Sequence, residues 1–234
     1  MRLAVIPARG GSKRIPRKNI KIFCGKPMIA WSIEVALQSG CFDEVVVSTD
    51  DQEIAEVAME FGAKVPFIRP ARLSDDYTGT IPVVRHAIEW FQLSGRPPAH
   101  ICCIYATAPF IQLSDLQRGL ELLQTSDCCY AVSVTSYPYP IQRALRITDK
   151  SRVEMFHPQH FNARSQDLEE AWHDAGQFYW GRAQAWLDQN MMFTPASMPV
   201  RLPRHLVQDI DTLEDWRRAE LMFRVLRMAG EDDT

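Results

Sequence analysis

The sequence predicts an α/β fold with a mostly parallel sheet and helices on both faces. Two observations predict it. Short apolar, β-branched runs alternate with amphipathic helical segments up to about Thr135, and turn residues separate them at Gly40, Gly62 and Gly95. A hydrophobic fraction of 46% over 234 residues is also ample for one core, with no internal repeat and no low-complexity stretch.

In order, strand Arg2–Ile6 runs into a basic loop. Pro27 opens a helix over Met28–Leu37, whose apolar residues fall at helical spacing, and Gly40 marks its end. Strand Glu44–Ser48 is β-branched. Asp50 or Asp51 caps a helix over Gln52–Phe61, and a short strand is expected at Val65–Ile68. A loop from Arg69 to Asp76 precedes helix Val83–Leu93, prepared by Thr80 and Pro82. After the Gly95-Arg96-Pro97-Pro98 turn comes His100–Tyr105, apolar enough for a central strand. Ser114 is read as the cap of helix Asp115–Gln124, and Ala131–Thr135 as the next strand.

The alternation then breaks. Residues 136–175 are rich in Pro, Tyr, Arg and His, with short strands expected at Ala144–Ile147 and Arg152–Met155. This reads as an inserted arm, the kind of excursion that packs on a second subunit, so a homodimer is expected. The sheet resumes at Phe178–Trp180; a short helix is expected over Arg182–Leu187, a strand at His205–Val207 and a last helix over Leu213–Met228, with residues 231–234 frayed.

Charge and cysteine usage narrow the class. A net charge of −3 argues against a protein that coats nucleic acid, so no nucleic-acid partner is expected. No apolar run approaches the roughly 20 residues of a membrane span, and Pro7 and Arg9 interrupt any leader-like stretch, so no membrane partner is expected either. The six cysteines lack a C-x-x-C spacing. Two adjacent pairs, Cys102-Cys103 and Cys128-Cys129, lie in strand-like runs, where neighbouring side chains point to opposite faces. They read as small apolar core residues in a reducing compartment, hence a cytoplasmic protein.

Two constellations carry chemistry. In the first, Leu3–Ile6 leads to Pro7-Ala8-Arg9-Gly10-Gly11-Ser12-Lys13-Arg14-Ile15-Pro16-Arg17-Lys18-Asn19, a Gly-Gly turn among cations in an acidic chain. Backbone N–H groups and cationic side chains converging at a strand end suit a polyphosphate. The spacing is neither a Walker loop nor a dinucleotide fingerprint, because Gly10 and Gly11 are adjacent and Ser12 precedes Lys13. The second is Asp209-Ile210-Asp211. Carboxylates at i and i+2 of an extended segment share one side and suit a hard cation such as Mg2+, with phosphate oxygens completing the shell. The alternative is structural: Asp211 or Thr212 capping the last helix, the other acid solvated.

Six segments in order, IPARGGSKRIPRKNI at 6–20, VSTDD at 47–51, RPARLSDDYTGT at 69–80, YATAPF at 105–110, DAGQFYW at 174–180 and QDIDTLEDW at 208–216, resemble the CMP-sialic acid synthetase (acylneuraminate cytidylyltransferase) family, most closely its pseudaminic acid cytidylyltransferase branch. The resemblance implies a Rossmann-like nucleotidyltransferase three-layer sandwich over residues 1–234. It implies transfer of CMP from CTP to the anomeric hydroxyl of a nine-carbon 2-keto sugar acid (a nonulosonic acid), with release of pyrophosphate and Mg2+ as cofactor. Carried over by position, Arg9, Lys13 and Asp211 would be catalytic. Ala8, Arg9, Gly10, Gly11, Ser12, Lys13, Lys18, Asn19, Arg69, Ser74 and Thr80 would bind the nucleotide, and Asp209 and Asp211 the metal. Tyr105, Thr107, Gln177, Tyr179 and Arg164 would face the acceptor sugar, although aromatics at strand spacing also serve as core and arm residues as interface packing.

Sialate synthetases carry a glutamine where this chain has Tyr105, which favours pseudaminate over N-acetylneuraminate. Legionaminate remains a neighbouring acceptor. From another class, an Asp-x-Asp glycosyltransferase places its acidic pair mid-domain and lacks the Arg-Gly-Gly-Ser-Lys loop; a non-enzymatic nucleotide sensor is the third alternative.

Overall fold

The structure, a computed structural model, describes residues 1–231, with side chains described as far as Met228. Its centre is a six-stranded sheet of order β10-β6-β9-β5-β1-β4. The strands are β1 (Arg2–Pro7), β4 (Glu44–Ser48), β5 (His100–Ile104), β6 (Tyr130–Ser136), β9 (Trp172–Arg182) and β10 (Ser197–Arg201). All neighbours are parallel except β9, which runs antiparallel between β5 and β6.

Strand alternation builds the two apolar faces. Ala4, Ile6, Val45, Val47, Cys102 and Ile104 pack on one side against helices α1 (Met28–Gln38), α2 (Gln52–Glu60) and α4 (Leu113–Thr125). Leu3, Val5, Val46, Ile101 and Cys103 pack on the other against α3 (Thr80–Leu93) and α5 (Ala183–Leu187). The expected three-layer α/β arrangement with a mostly parallel sheet is therefore present, and Cys102 and Cys103 do face opposite ways. Cys128 and Cys129 lie just ahead of β6 rather than inside it. All six cysteines are free.

A third, smaller apolar cluster lies off the sheet. Ile15 from the basic loop, Phe23 from the two-residue strand β2 (Ile22–Phe23), Met28, Phe110 and Ile210 pack against Trp216, Ala219 and Phe223 of α6 (Leu213–Glu231). The Phe23 ring meets Trp216 and Phe223 edge-on, each at 5.4 Å. β2 pairs with β3 (Lys26–Pro27), a small hairpin that the sequence reading did not anticipate.

Several boundaries correct the expectations. Val65–Ile68 is no strand; isolated bridges Val46–Lys64 and Thr49–Ile68 lie along the free edge of β4. Helix α4 starts at Leu113, so Ser114 lies inside it, and the preceding Gln112 makes no side-chain cap. The edge strand is Ser197–Arg201, whereas the strand expected at His205–Val207 is absent and Arg204–Leu206 is a 3-10 turn. Asp51 rather than Asp50 caps α2, accepting from Ile54 N at 3.0 Å. Thr212 caps α6: Asp215 N donates to its hydroxyl, and Thr212 N donates back to Asp215 at 2.8 Å. In the arm, hairpin strands β7 (Leu145–Ile147) and β8 (Val153–Met155) form as anticipated. The frayed end proposed for residues 231–234 lies almost wholly outside the described residues.

Candidate active site

The cleft opens at the carboxyl ends of the parallel strands, where α/β sheets place their ligands. It encloses about 590 Å³ and is lined from four parts of the chain: Arg9, Ser12, Lys13, Lys18 and Asn19 from the loop after β1; Arg69 and Thr80; Tyr105 and Thr107 after β5; and Asp209 and Asp211 before α6. The two distant ends of the chain thus meet. Apolar anchors bring them together. Ile15 and Ile210 are each 1% exposed in the third cluster, so their charged neighbours turn the other way. Burial of an isoleucine contributes about 1.5–3 kcal/mol. Lys18 then bridges the ends, its ammonium donating to Ile210 O at 2.7 Å and lying 3.3 Å from Asp211, while Arg14 pairs with Asp211 at 2.8 Å.

The five loop cations divide three ways. Arg14 and Lys18 hold Asp211. Arg17, at φ 55°, forks onto Asp51 and also pairs with Glu53, tying the loop to the start of α2. Hydrogen bonds from Arg17 hold the Asp51 carboxyl below its usual range, although burial opposes them. Arg9 and Lys13 reach across to the loop before α3: Arg9 donates to Asp75 O at 2.6 Å and pairs with Asp76 at 2.9 Å, and Lys13 pairs with Asp76 as well.

Other site residues depart from expectation. Ala8, Gly10, Gly11 and Ser74 do not line the cleft. Gly10 N donates to Asp50 at 3.0 Å, and a Cβ on Gly10 would sit 2.7 Å from an Asp51 oxygen. Its glycine is thus required by close approach to Asp51, and its N–H is already committed to a carboxylate. Ser74 receives Arg69 Nε at 3.2 Å and steadies it. Arg69 is almost fully buried, which lowers its guanidinium pKa from the ordinary value against the opposing charge of Asp50. Asn19, also buried, donates to Arg9 O at 3.0 Å.

The acceptor set divides. Tyr105 and Thr107 line the cleft. Tyr179 is 1% exposed and does not line the cleft; its hydroxyl donates to Asp174, which does, at 2.5 Å. Gln177 is buried, with its amide on Leu206 O, and Arg164 pairs with Asp167 on the arm's surface; neither lines the cleft. Sequence reasoning missed Arg14, Asp75, Asp76 and Asp174, all of which do. The adjacent acids Asp75-Asp76, in a segment already rich in Arg, were the available signal.

Asp209 makes no ion pair among the described residues. Burial and the neighbouring charge of Asp211 push its carboxyl above the usual carboxylate range. A divalent cation would relieve that repulsion, so this donor pair fits a metal whose shell is completed by phosphate oxygens. Among the described residues no three His, Cys, Asp or Glu are placed to hold a metal alone.

With fold and cleft defined, comparison fixes the class: the chain belongs to the cytidylyltransferase family, whose sequence model matches residues 3–203. Among its relatives is the pseudaminic acid cytidylyltransferase of Campylobacter jejuni (serotype O:2), 49% identical over 223 residues, covering 95% of this chain and 96% of that one. The CMP-N,N'-diacetyllegionaminic acid synthase of Legionella pneumophila is 32% identical, with 95% and 96% covered. In fold, the chain resembles a CMP:2-keto-3-deoxy-manno-octonic acid synthetase solved with CTP, with a TM-score of 0.69, 18% identity, and 98% and 99% of the two chains covered.

Proposed function

We propose that the protein transfers CMP from CTP to the anomeric hydroxyl of a nonulosonic acid, with pseudaminic acid as the acceptor and Mg2+ as the cofactor. The observation that carries the reading is the meeting of Arg9, Ser12, Lys13 and Lys18 with Asp209 and Asp211 in one cleft. In the reaction the sugar oxygen forms a bond to the α-phosphorus while the bond from that phosphorus to the oxygen bridging to the β-phosphate breaks, and the hydroxyl proton passes to solvent. Pyrophosphate leaves with its charge neutralised. Catalysis of this kind is positioning plus electrostatics. Arg9 and Lys13 exchange Asp76 for the leaving phosphates. Arg69, held by Ser74 and Asp50, faces the nucleoside end. A cation bound by Asp209 and Asp211 supplies charge neutralisation at the phosphates.

Relatives at 49% identity over nearly full length, named for pseudaminic acid, support that acceptor, as does Tyr105 at the position where sialate synthetases carry glutamine. Free cysteines, most of them buried, support a reducing compartment, and we place the protein in the cytoplasm. No described helix is long and apolar enough to cross a membrane. The arm exposes Tyr139, Leu145, Ile147, Val153, Phe156 and Phe161, an apolar surface suited to a second copy of the chain, which supports a homodimer.

The test is pyrophosphate release from CTP with a panel of nonulosonic acids, with and without Mg2+. Turnover is expected only when acid and metal are both present, and best with pseudaminate. Preference for N-acetylneuraminate would overturn the acceptor; release without any acid would overturn the reaction.

A further inference from the structure

The cleft has two unlike walls. Its lining cations, Arg9, Lys13, Arg14, Lys18 and Arg69, come from the loops that follow β1 and α2. A separate part of the lining, at the start of β9, carries Asp174. Asp174 makes no ion pair among the described residues, and local groups fix its carboxylate. Gly176 N donates to one oxygen at 2.8 Å and the Tyr179 hydroxyl to the other at 2.5 Å. The backbone allows this because Gly176 turns at φ 60°. A hydroxyl has one proton, so Tyr179, having given its own to Asp174, can only accept from Tyr105, 3.4 Å away. Tyr105 in turn can only accept from Thr80, at 3.5 Å. Each proton in the row Thr80, Tyr105, Tyr179, Asp174 is directed along it toward Asp174. Asp174 therefore presents a negative charge and its remaining lone pairs to the cleft.

Resting on the cytidylyl-transfer reading, we propose that Asp174 is a specificity-determining residue: it receives a hydroxyl or amide N–H of the acceptor sugar and, by its charge, turns the sugar's own carboxylate toward the cationic wall. Removal of a charged hydrogen-bonding partner typically costs about 1.5–3 kcal/mol, and that is roughly ten- to a hundredfold in binding. Tyr179, which does not itself reach the substrate, is a positioning residue for Asp174.

The experiment is steady-state pyrophosphate release by the full chain, with CTP and the acceptor titrated separately. Asp174→Asn is expected to raise the acceptor KM at least tenfold while the CTP KM stays within twofold; Tyr179→Phe, which keeps the ring, is expected to raise the acceptor KM three- to tenfold with the same split. An unchanged acceptor KM in either soluble variant, or equal rises for both substrates, overturns the proposal. Tyr179→Phe alone decides the matter should Asp174→Asn not fold. Acceptors methylated at one hydroxyl or acetamido nitrogen at a time add a second readout. One of them is expected to lose tenfold with the wild type and little more with Asp174→Asn; equal losses in both enzymes overturn the proposal. Failure of the wild type with every nonulosonic acid would instead be a failure of the cytidylyl-transfer reading, and the proposal would fall with it.

Discussion

The basic loop and the arm both leave the carboxyl end of a sheet strand, yet they are held in opposite ways. The loop drives Ile15 into an apolar cluster and distributes its cations over Asp51, Asp76 and Asp211, so each turn of it is anchored to another part of the chain. The arm turns its apolar residues outward: Ile147 is 72% exposed and Phe161 70%, and β7 pairs only with β8. An isolated two-stranded hairpin is marginal in water. The loop is thus fixed by the rest of the chain with no ligand present, whereas the arm leaves its apolar residues uncovered.

The sharpest way to break this contrast is at the charges. Lys13→Ala or Asp211→Ala is expected to lower turnover at least about a hundredfold, as loss of a transition-state charge contact does, while thermal melting shows the fold intact. An active Asp211→Ala enzyme would remove that carboxylate from the proposed metal site. Next in size is packing. Ile210→Ala should cost about 2–4 kcal/mol in urea titrations, because a buried isoleucine leaves a cavity, whereas Ile147→Ala should lie within about 0.5 kcal/mol for the monomer. Ile147→Asp should instead halve the mass seen by light scattering; an unchanged mass argues against the arm as a dimer surface.

Glu44 gives a smaller, pH-dependent effect. Burial pushes its carboxyl up, but hydrogen bonds from Arg96 and Lys64 outweigh that and hold it below the usual range. Its stabilisation is therefore present above the ordinary glutamate value of about 4.3 and is lost as pH falls through the depressed folded value. Glu44→Gln should be less stable than wild type at pH 7, with the gap closing in acid; a gap equal at pH 7 and pH 3 would refute the assignment. The smallest effect is expected at Asp76. Its pairs with Arg9 and Lys13 are solvent-screened and weak, so Asp76→Asn should lower the CTP KM by no more than about fivefold.

Much of this was legible because local chemistry and final structure agree. The β-branched run at Glu44–Ser48 forms a strand with those limits, and the alternation at Asp209-Ile210-Asp211 correctly placed the two acids on one side. Other elements were hidden for physical reasons. β10 contains Pro199, which reads against a strand, yet β10 lies at the sheet's edge and pairs only with β6, where a missing N–H is tolerated. β9 shifts register against β6 between Val132 and Val134 and contains two glycines, so its full length shows no simple alternation. The partners of Arg9, Lys13 and Arg17 are contacts of long sequence separation, which periodicity cannot report. Glycine was read in the loop as a source of free N–H groups, but at Gly10 it serves the close approach of Asp51.

The position of β9 has a consequence for synthesis on the ribosome. β6 ends at Ser136 and β9 begins only at Trp172, yet β9 fills the slot between β5 and β6. Until Arg182 has emerged, β5 keeps an unpaired edge and β6 has no sheet partner at all, because both its neighbours, β9 and β10, come later in the chain. Such edges recruit foreign strands, so the interval while the arm is being translated is when this chain most needs a chaperone.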